Sequence, residues 1–235
     1  MTRFEPSPCG GLQITLAGTG VLLRGSGALW LQTERTLVVA DLHFEKGSSY
    51  AARFGQMLPP YDTRETLDRL DREIAALSPA RLIFLGDSFH DGQGESRLSG
   101  EDADRLRDLA QGRDLVWAVG NHDEDGPQDL PGVIIDEASM LGLVLRHEPR
   151  NGHQPGEVAG HLHPAARVSS GRGSVRRRCF VTDGSRLILP AFGAFTGGLN
   201  VLDGAFAGLF ESPILAAALG KDRLHAIGPR SLRPD

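Results

Sequence analysis

The sequence predicts an α/β domain: a parallel βαβ half followed by a mostly antiparallel half. Three observations carry this. Buried-type apolar runs at 36–40, 81–85 and 115–119 are separated by two helical segments at the spacing of βαβ units. From Val133 onward the chain returns to short apolar runs with little between them. Thirty glycines in 235 residues, nearly twice the usual share of roughly 7%, supply tight turns between short elements.

Taken in order, 12–17, 21–24, 28–31 and 36–40 read as strands parted by glycine-rich or polar turns. Asp62 with Glu65 resembles a capping box opening a helix over 62–77, whose Leu67, Leu70, Ile74 and Leu77 form one apolar stripe. Residues 81–85 form a buried strand. Ser99 and Asp102 then open a second helix with Ala103, Leu106, Leu109 and Ala110 inward and Gly112 as its stop. Another buried strand covers 115–119, and strands are expected at 133–136, 141–146, 156–159, 178–182 and 186–189. A helix over 212–219 and a strand over 223–227 complete the chain. Residues 1–228 are expected to form a single domain and 229–235 a loose polar tail. A Ser/Gly-rich loop is expected over 169–178.

Composition narrows the class. Hydrophobic residues make up 40% and charged residues 23%, enough to bury a core. No apolar stretch approaches the ~20 residues needed to span a bilayer, and no signal-type segment is evident. Cys9 and Cys179 do not make a disulfide framework. A soluble, cytoplasmic protein without a membrane role is expected. The formal charge of −5 argues against coating nucleic acid by bulk electrostatics. Arg167, Arg172, Arg176, Arg177 and Arg178 form the one local basic patch, either a phosphate-binding rim or a solvated face.

The polar residues fall at strand ends. Apolar runs lead into Asp41-Leu42-His43, Gly86-Asp87-Ser88-Phe89-His90-Asp91, Gly120-Asn121-His122-Asp123, Arg146-His147 and Gly160-His161-Leu162-His163. Ligand sites in open α/β sheets lie outside the carboxyl ends of strands, so all five groups can meet at one edge. If the backbone stays extended past the strand, Asp41 and His43 leave on the same side, as do His161 and His163. Mixed imidazole and carboxylate suit Mn, Fe, Zn or Ni better than Mg or Ca. Asp41, His43, Asp87, Asn121, His147, His161 and His163 are seven candidate ligands, too many for one open metal. Two ions bridged by a carboxylate use them naturally, and Asp87, the middle of the strand-end groups, is the obvious bridge.

This ordered set resembles the calcineurin-like metallophosphoesterases. Leu189-Pro190-Ala191-Phe192-Gly193-Ala194-Phe195-Thr196-Gly197-Gly198, with the opening hairpin, is similar to the bacterial PdeM family, named ligase-associated DNA damage response endonucleases. The resemblance implies a metallophosphoesterase-type β-sandwich flanked by helices, in four α/β/β/α layers. It implies one divalent ion on Asp41, His43, Asp87 and His163 and a second on Asp87, Asn121, His147 and His161, most often Mn²⁺. It implies hydrolysis of DNA phosphodiesters by in-line attack of a metal-bridging hydroxide. His122 would face substrate as acid or charge stabiliser, with His90 nearby. Asp123 would either orient His122 or cap a turn. Arg146 stands where many relatives have glycine, and would contact substrate phosphate or form an ion pair. Arg172, Arg176, Arg177 and Arg178 would hold the DNA backbone. DNA ligase, exonuclease and helicase are the neighbours the resemblance implies.

Two other functions compete. One is the same chemistry on a small nucleotide diester or pyrophosphate. The other is a non-enzymatic interaction scaffold, which the presence of His122 and all seven ligand types disfavours.

Overall fold

The computed structural model describes residues 3–55, 61–170 and 173–235. Its first sheet contains β1 (Glu5–Pro6), β2 (Leu12–Leu16), β3 (Thr19–Leu23), β4 (Leu29–Leu31), β5 (Thr36–Val39), β6 (Arg81–Leu85), β7 (Asp114–Ala118) and β8 (Val133–Ile135), paired in that order. Strands β1 to β5 are an antiparallel meander, whereas β5 through β8 run parallel. The helices α1 (Lys46–Phe54), α2 (Asp62–Leu77), α3 (Gly94–Arg97) and α4 (Gly100–Asp108) lie in the connections after β5 and β6.

The second sheet contains β9 (Glu137–Met140), β10 (Leu143–Arg146), β11 (Glu157–Ala159), β12 (Ala165–Ser170), β13 (Gly173–Thr182), β14 (Leu187–Ile188), β15 (Leu215–Leu219), β16 (Leu224–Ile227) and β17 (Leu232–Arg233). Its main path runs β16-β15-β13-β14-β11-β10-β9, with β12 joined to β13 and β17. Strands β10, β11 and β14 are parallel; the rest pair antiparallel.

The sandwich explains why the parallel strands show no polar alternation. Val38, Ile83 and Leu85 enter the core between the sheets with Leu145, Val158 and Phe180. Leu37, Val39, Phe84 and Trp117, on the other face, pack on Leu67 and Leu70 of α2 and Leu106 of α4. Both faces of these strands are therefore buried beyond their first residues, and the positions there are apolar. The outer face of the second sheet is covered by Val201, Phe206 and Leu209, partly on the short 3₁₀ turn Gly204–Phe206.

Four local expectations are corrected. Asp62 is not a capping-box residue: Tyr61 occupies the N-cap of α2, and Asp62 Oδ2 instead accepts the Gly47 N–H at the start of α1 (2.9 Å). The expected helix over 212–219 is strand β15. It lies between β13 and β16, and that pairing overrides the helical preference of its three alanines. The expected loop over 169–178 is largely hairpin β12–β13, with Arg167 opposite Arg176 and Val168 opposite Val175. The tail is not loose, because Leu232 is buried and β17 pairs with Arg167 and Val168. Helix α1 was not foreseen; Gly47 and two serines hide its pattern.

Candidate metal centre

The segments after β5 and β6 run side by side beyond the strands. Asp41 N–H donates to Gly86 O (3.2 Å), His43 N–H to Asp87 O (2.9 Å) and Phe44 N–H to Ser88 O (2.8 Å). The second sheet is tied in by His161 N–H, which donates to the Asp41 carboxylate (3.0 Å), and by the His147 ring, whose Nδ1 lies 3.2 Å from Leu85 O. Each contact joins segments far apart in sequence, so the site forms only when the sheets stack.

The backbone there is unusual. Asp41, His43, Asp87, His161 and His163 all have φ between 46° and 67°. The left-handed region costs a non-glycine residue about 1–2 kcal/mol, and such conformations persist only where their surroundings enforce them. Extended alternation therefore does not bring Asp41 and His43 together; a pair of left-handed residues does. Two glycines make room for this packing. A Cβ on Gly86 would lie 2.2 Å from His147 Nδ1, and one on Gly120 would lie 2.3 Å from Asp87 Oδ1.

Two donor sets share one carboxylate. Asp41, His43, Asp87 and His163 have ligand atoms within 4.8 Å of one another, and so do Asp87, His147 and His161. In the first set His43 Nε2 is 3.2 Å from His163 Nε2 and 3.8 Å from Asp87 Oδ2, while His163 Nε2 is 3.3 Å from Asp41 Oδ1. In the second, His147 Nε2 is 3.4 Å from Asp87 Oδ1, 3.2 Å from His161 Nδ1 and 3.0 Å from Asn121 Oδ1. All seven expected ligands thus meet.

The electrostatics suit a cation. Burial holds the His43 ring far below its ordinary pKa, and the neighbouring His163, His122 and His90 add to this. His161 is lowered by burial and then by His147. Neutral imidazole is the ligating form. Ring nitrogens and carboxylate oxygens facing one another at 3.2–3.8 Å match what divalent transition metals accept.

His122 is the exposed member, with its side chain 40% accessible. Its Nδ1 lies 2.8 Å from His90 O, so an Nδ1–H donates there and leaves Nε2 free, 3.9 Å from Asp87 Oδ2. His90 Nδ1 is 3.4 Å from His43 Nδ1, and burial pushes its pKa down to about 4. Its ring also approaches Tyr50 of the unforeseen α1.

Asp123 serves the backbone. Oδ2 accepts the Ser88 (2.8 Å) and Phe89 (3.1 Å) N–H groups, and Oδ1 accepts the Gly120 N–H (3.2 Å). These bonds place it in the turn-capping role and hold the turn after Asp87; no bond to the His122 ring is seen among the described residues. Arg146 lines a cavity of about 550 Å³ with Asn121 and His147, but it is buried and paired with Glu157 (3.0 Å) and Glu137 (2.9 Å). That is the ion-pair alternative, not a free phosphate contact. Arg176 pairs with Asp235 (3.0 Å) and donates to Gly198 O (2.6 Å). Arg178 donates to Ala191 O and Gly193 O (2.8 and 2.9 Å), while Arg177 is exposed. Arg172 lies outside the described residues.

The 189–198 segment has a role that composition did not reveal. Phe192 N–H donates to Ala40 O (2.8 Å) and Gly193 N–H to Asp41 O (3.2 Å), and a Cβ on Gly193 would lie 1.9 Å from Leu42 O. Arg69 of α2 donates to Phe192 O. Arg69 and Arg178 thus brace the wall behind Asp41. The cue was Arg69 on the polar side of α2, where it looks like an ordinary surface charge.

Residues 34–185, well over half of the chain, match the family model described as calcineurin-like phosphoesterase. Among solved structures, the chain is similar to a nuclease, MPE, of Pseudomonas putida. Identity is 31% and the TM-score 0.72, covering 92% of this chain and 100% of that one. YfcE, a phosphoesterase from E. coli, matches at 15% identity and a TM-score of 0.41, over 82% of this chain and 98% of that one. Comparison with curated protein sequences gives no match. No helix among the described residues is long and apolar enough to cross a membrane. Family model, full-length structural likeness and the His/Asp centre agree: this chain belongs to the calcineurin-like phosphoesterases, metal-dependent hydrolases of phosphoester bonds.

Proposed function

We propose that this chain is a dinuclear-metal phosphodiesterase that cuts DNA, working in DNA repair, with Mn²⁺ as its favoured ion and Fe, Zn or Ni as alternatives. The observation that carries the reading is the membership of Asp87 in both donor sets. Asp41, His43 and His163 would hold one ion with it, and His147, His161 and Asn121 the other. Two ions so held supply a water of lowered pKa and neutralise charge developing on phosphoryl oxygens. The DNA substrate rests on the full-length likeness to a nuclease.

The chain's own groups do the rest. His122, anchored by His90 O and open to solvent, presents Nε2 to the substrate side. Protonated, it stabilises the anionic phosphoryl group or gives a proton to the leaving alkoxide. His90 keeps the His43 ring in place, and Asp123 holds the turn that aims Asp87. DNA ligase, exonuclease and helicase neighbours would follow from the same reading.

One experiment tests it. Purified protein with Mn²⁺ should cleave single-stranded DNA and a small chromogenic diester, and EDTA should abolish both. His122→Ala should keep both metals by elemental analysis and lose about 10²–10⁴-fold in rate. Full turnover in excess chelator, or loss of metal on removing His122, refutes this assignment.

A further inference from the structure

A cleft of about 450 Å³ opens between α2, the β15–β16 turn and the Gly25–Ser26 turn, lined by Arg69, Arg72, Arg177, Arg178 and Lys221. The one carboxylate lining it, Glu73, is paired with Arg24 at 2.8 Å. Arg72, Arg177 and Lys221 are exposed, and none forms an ion pair among the described residues. Arg69 and Arg178 form the floor, crowded enough that burial, and then Arg69, push the Arg178 pKa down to about 10. Five cations without an unpaired carboxylate stand out in a chain of formal charge −5.

The floor of the cleft and the metal centre lie on opposite sides of one buried segment, Ala191–Gly193. Gly193 O accepts the Arg178 guanidinium on the cleft side, and Gly193 N–H donates to Asp41 O on the other. The flank beside Asn121 and His147 is lined by Glu124, Asp136 and Glu148, while the two arginines of that cavity, Arg146 and Arg150, are both paired to Glu137. A polyanion reaching the centre is therefore attracted on the α2 side, and by Lys46 beside His43 and His90, and repelled on the flank of Glu124, Asp136 and Glu148.

We infer that this cleft seats the sugar-phosphate backbone of a nucleic-acid strand whose scissile phosphodiester lies at the metal centre. The inference rests on the nuclease reading and adds the strand's path. The strand passes over Arg72, Arg177 and Lys221, and Arg176, already held by Asp235 and Gly198 O, stays outside it. Guanidinium groups on separate elements match successive phosphates, and their effect is salt-dependent through counterion release.

The test uses the metal-loaded protein and a fluorescein-labelled phosphorothioate oligothymidylate, with anisotropy read between about 50 and 200 mM salt. The triple variant Arg72→Ala/Arg177→Ala/Lys221→Ala should bind at least tenfold more weakly. Its log K against log salt slope should be shallower by about 2, from three lost contacts at about 0.7 each. The ratio of DNA cleavage to small-diester cleavage should fall in parallel. Arg176→Ala should leave the slope in place. Wild-type affinity and slope in the triple variant overturn the cleft while leaving the nuclease reading standing, as does a slope change in Arg176→Ala alone. A wild-type protein that hydrolyses the small diester but neither binds nor cuts DNA overturns both.

Discussion

The metal centre and the arginine hairpin both concentrate charged groups, and they treat them in opposite ways. At the centre, Asp41, His43, Asp87, His147, His161 and His163 turn their donor atoms toward one another, with no Lys or Arg among the ion pairs of these side chains within the described residues. On hairpin β12–β13 most guanidiniums are matched within the protein: Arg167 bonds Ser174 Oγ and Pro234 O, Arg176 bonds Asp235, and Arg178 bonds two carbonyls, while Arg177 is left facing the cleft. Arg146 is more tightly held still, sharing Glu157 with Arg186. Charge left uncompensated marks chemistry, and charge compensated locally marks architecture. Counting charged residues does not separate the two; their partners do.

That contrast can be broken at three places. The largest effect is expected at Asp87. Asp87→Ala removes the shared carboxylate and should lose at least one metal by elemental analysis together with all measurable cleavage. Retained activity with two metals would remove Asp87 from the centre. Arg146 comes next. Arg146→Gln removes one of the two cations on buried Glu157, which keeps Arg186, so stability should fall by about 1–3 kcal/mol in urea unfolding. A stable variant that instead loses only DNA affinity would return Arg146 to substrate binding. The smallest effect is expected at Arg176, whose pair with Asp235 is exposed. Arg176→Ala should change stability by no more than about 1 kcal/mol. A larger loss in thermal unfolding would show that the hairpin needs this pair.

Much of the centre was legible because each ligand follows an apolar run that could only be a strand, and carboxyl ends of parallel strands gather at one edge. The runs before Asp41, Asp87 and Asn121 became β5, β6 and β7, and those before His147 and His161 became β10 and β11. Helix 62–77 was legible from its stripe, and Asp62–Leu77 is the observed span. Strand β15 was not, because three alanines favour helix locally and only their place between β13 and β16 decides otherwise. Asp62 and Asp123 were misjudged or left open for a related reason. Both accept N–H groups from segments at least 15 residues away, Gly47 for Asp62 and Ser88 for Asp123.

By itself the sequence determined the α/β class, most of the strands and the candidate ligand groups, because apolar period and strand-end position are local properties of the chain. Tertiary structure alone decided how those groups converge. Five candidate ligand positions adopt left-handed backbone that no local preference selects, enforced by contacts such as His43 N–H to Asp87 O and His161 N–H to Asp41. Tertiary structure also decided which arginines are free. A guanidinium's availability depends on whether a carboxylate or carbonyl lies within reach across the fold, as Glu157 does for Arg146 and Gly193 O does for Arg178, while Arg72 and Lys221 are left facing a cleft.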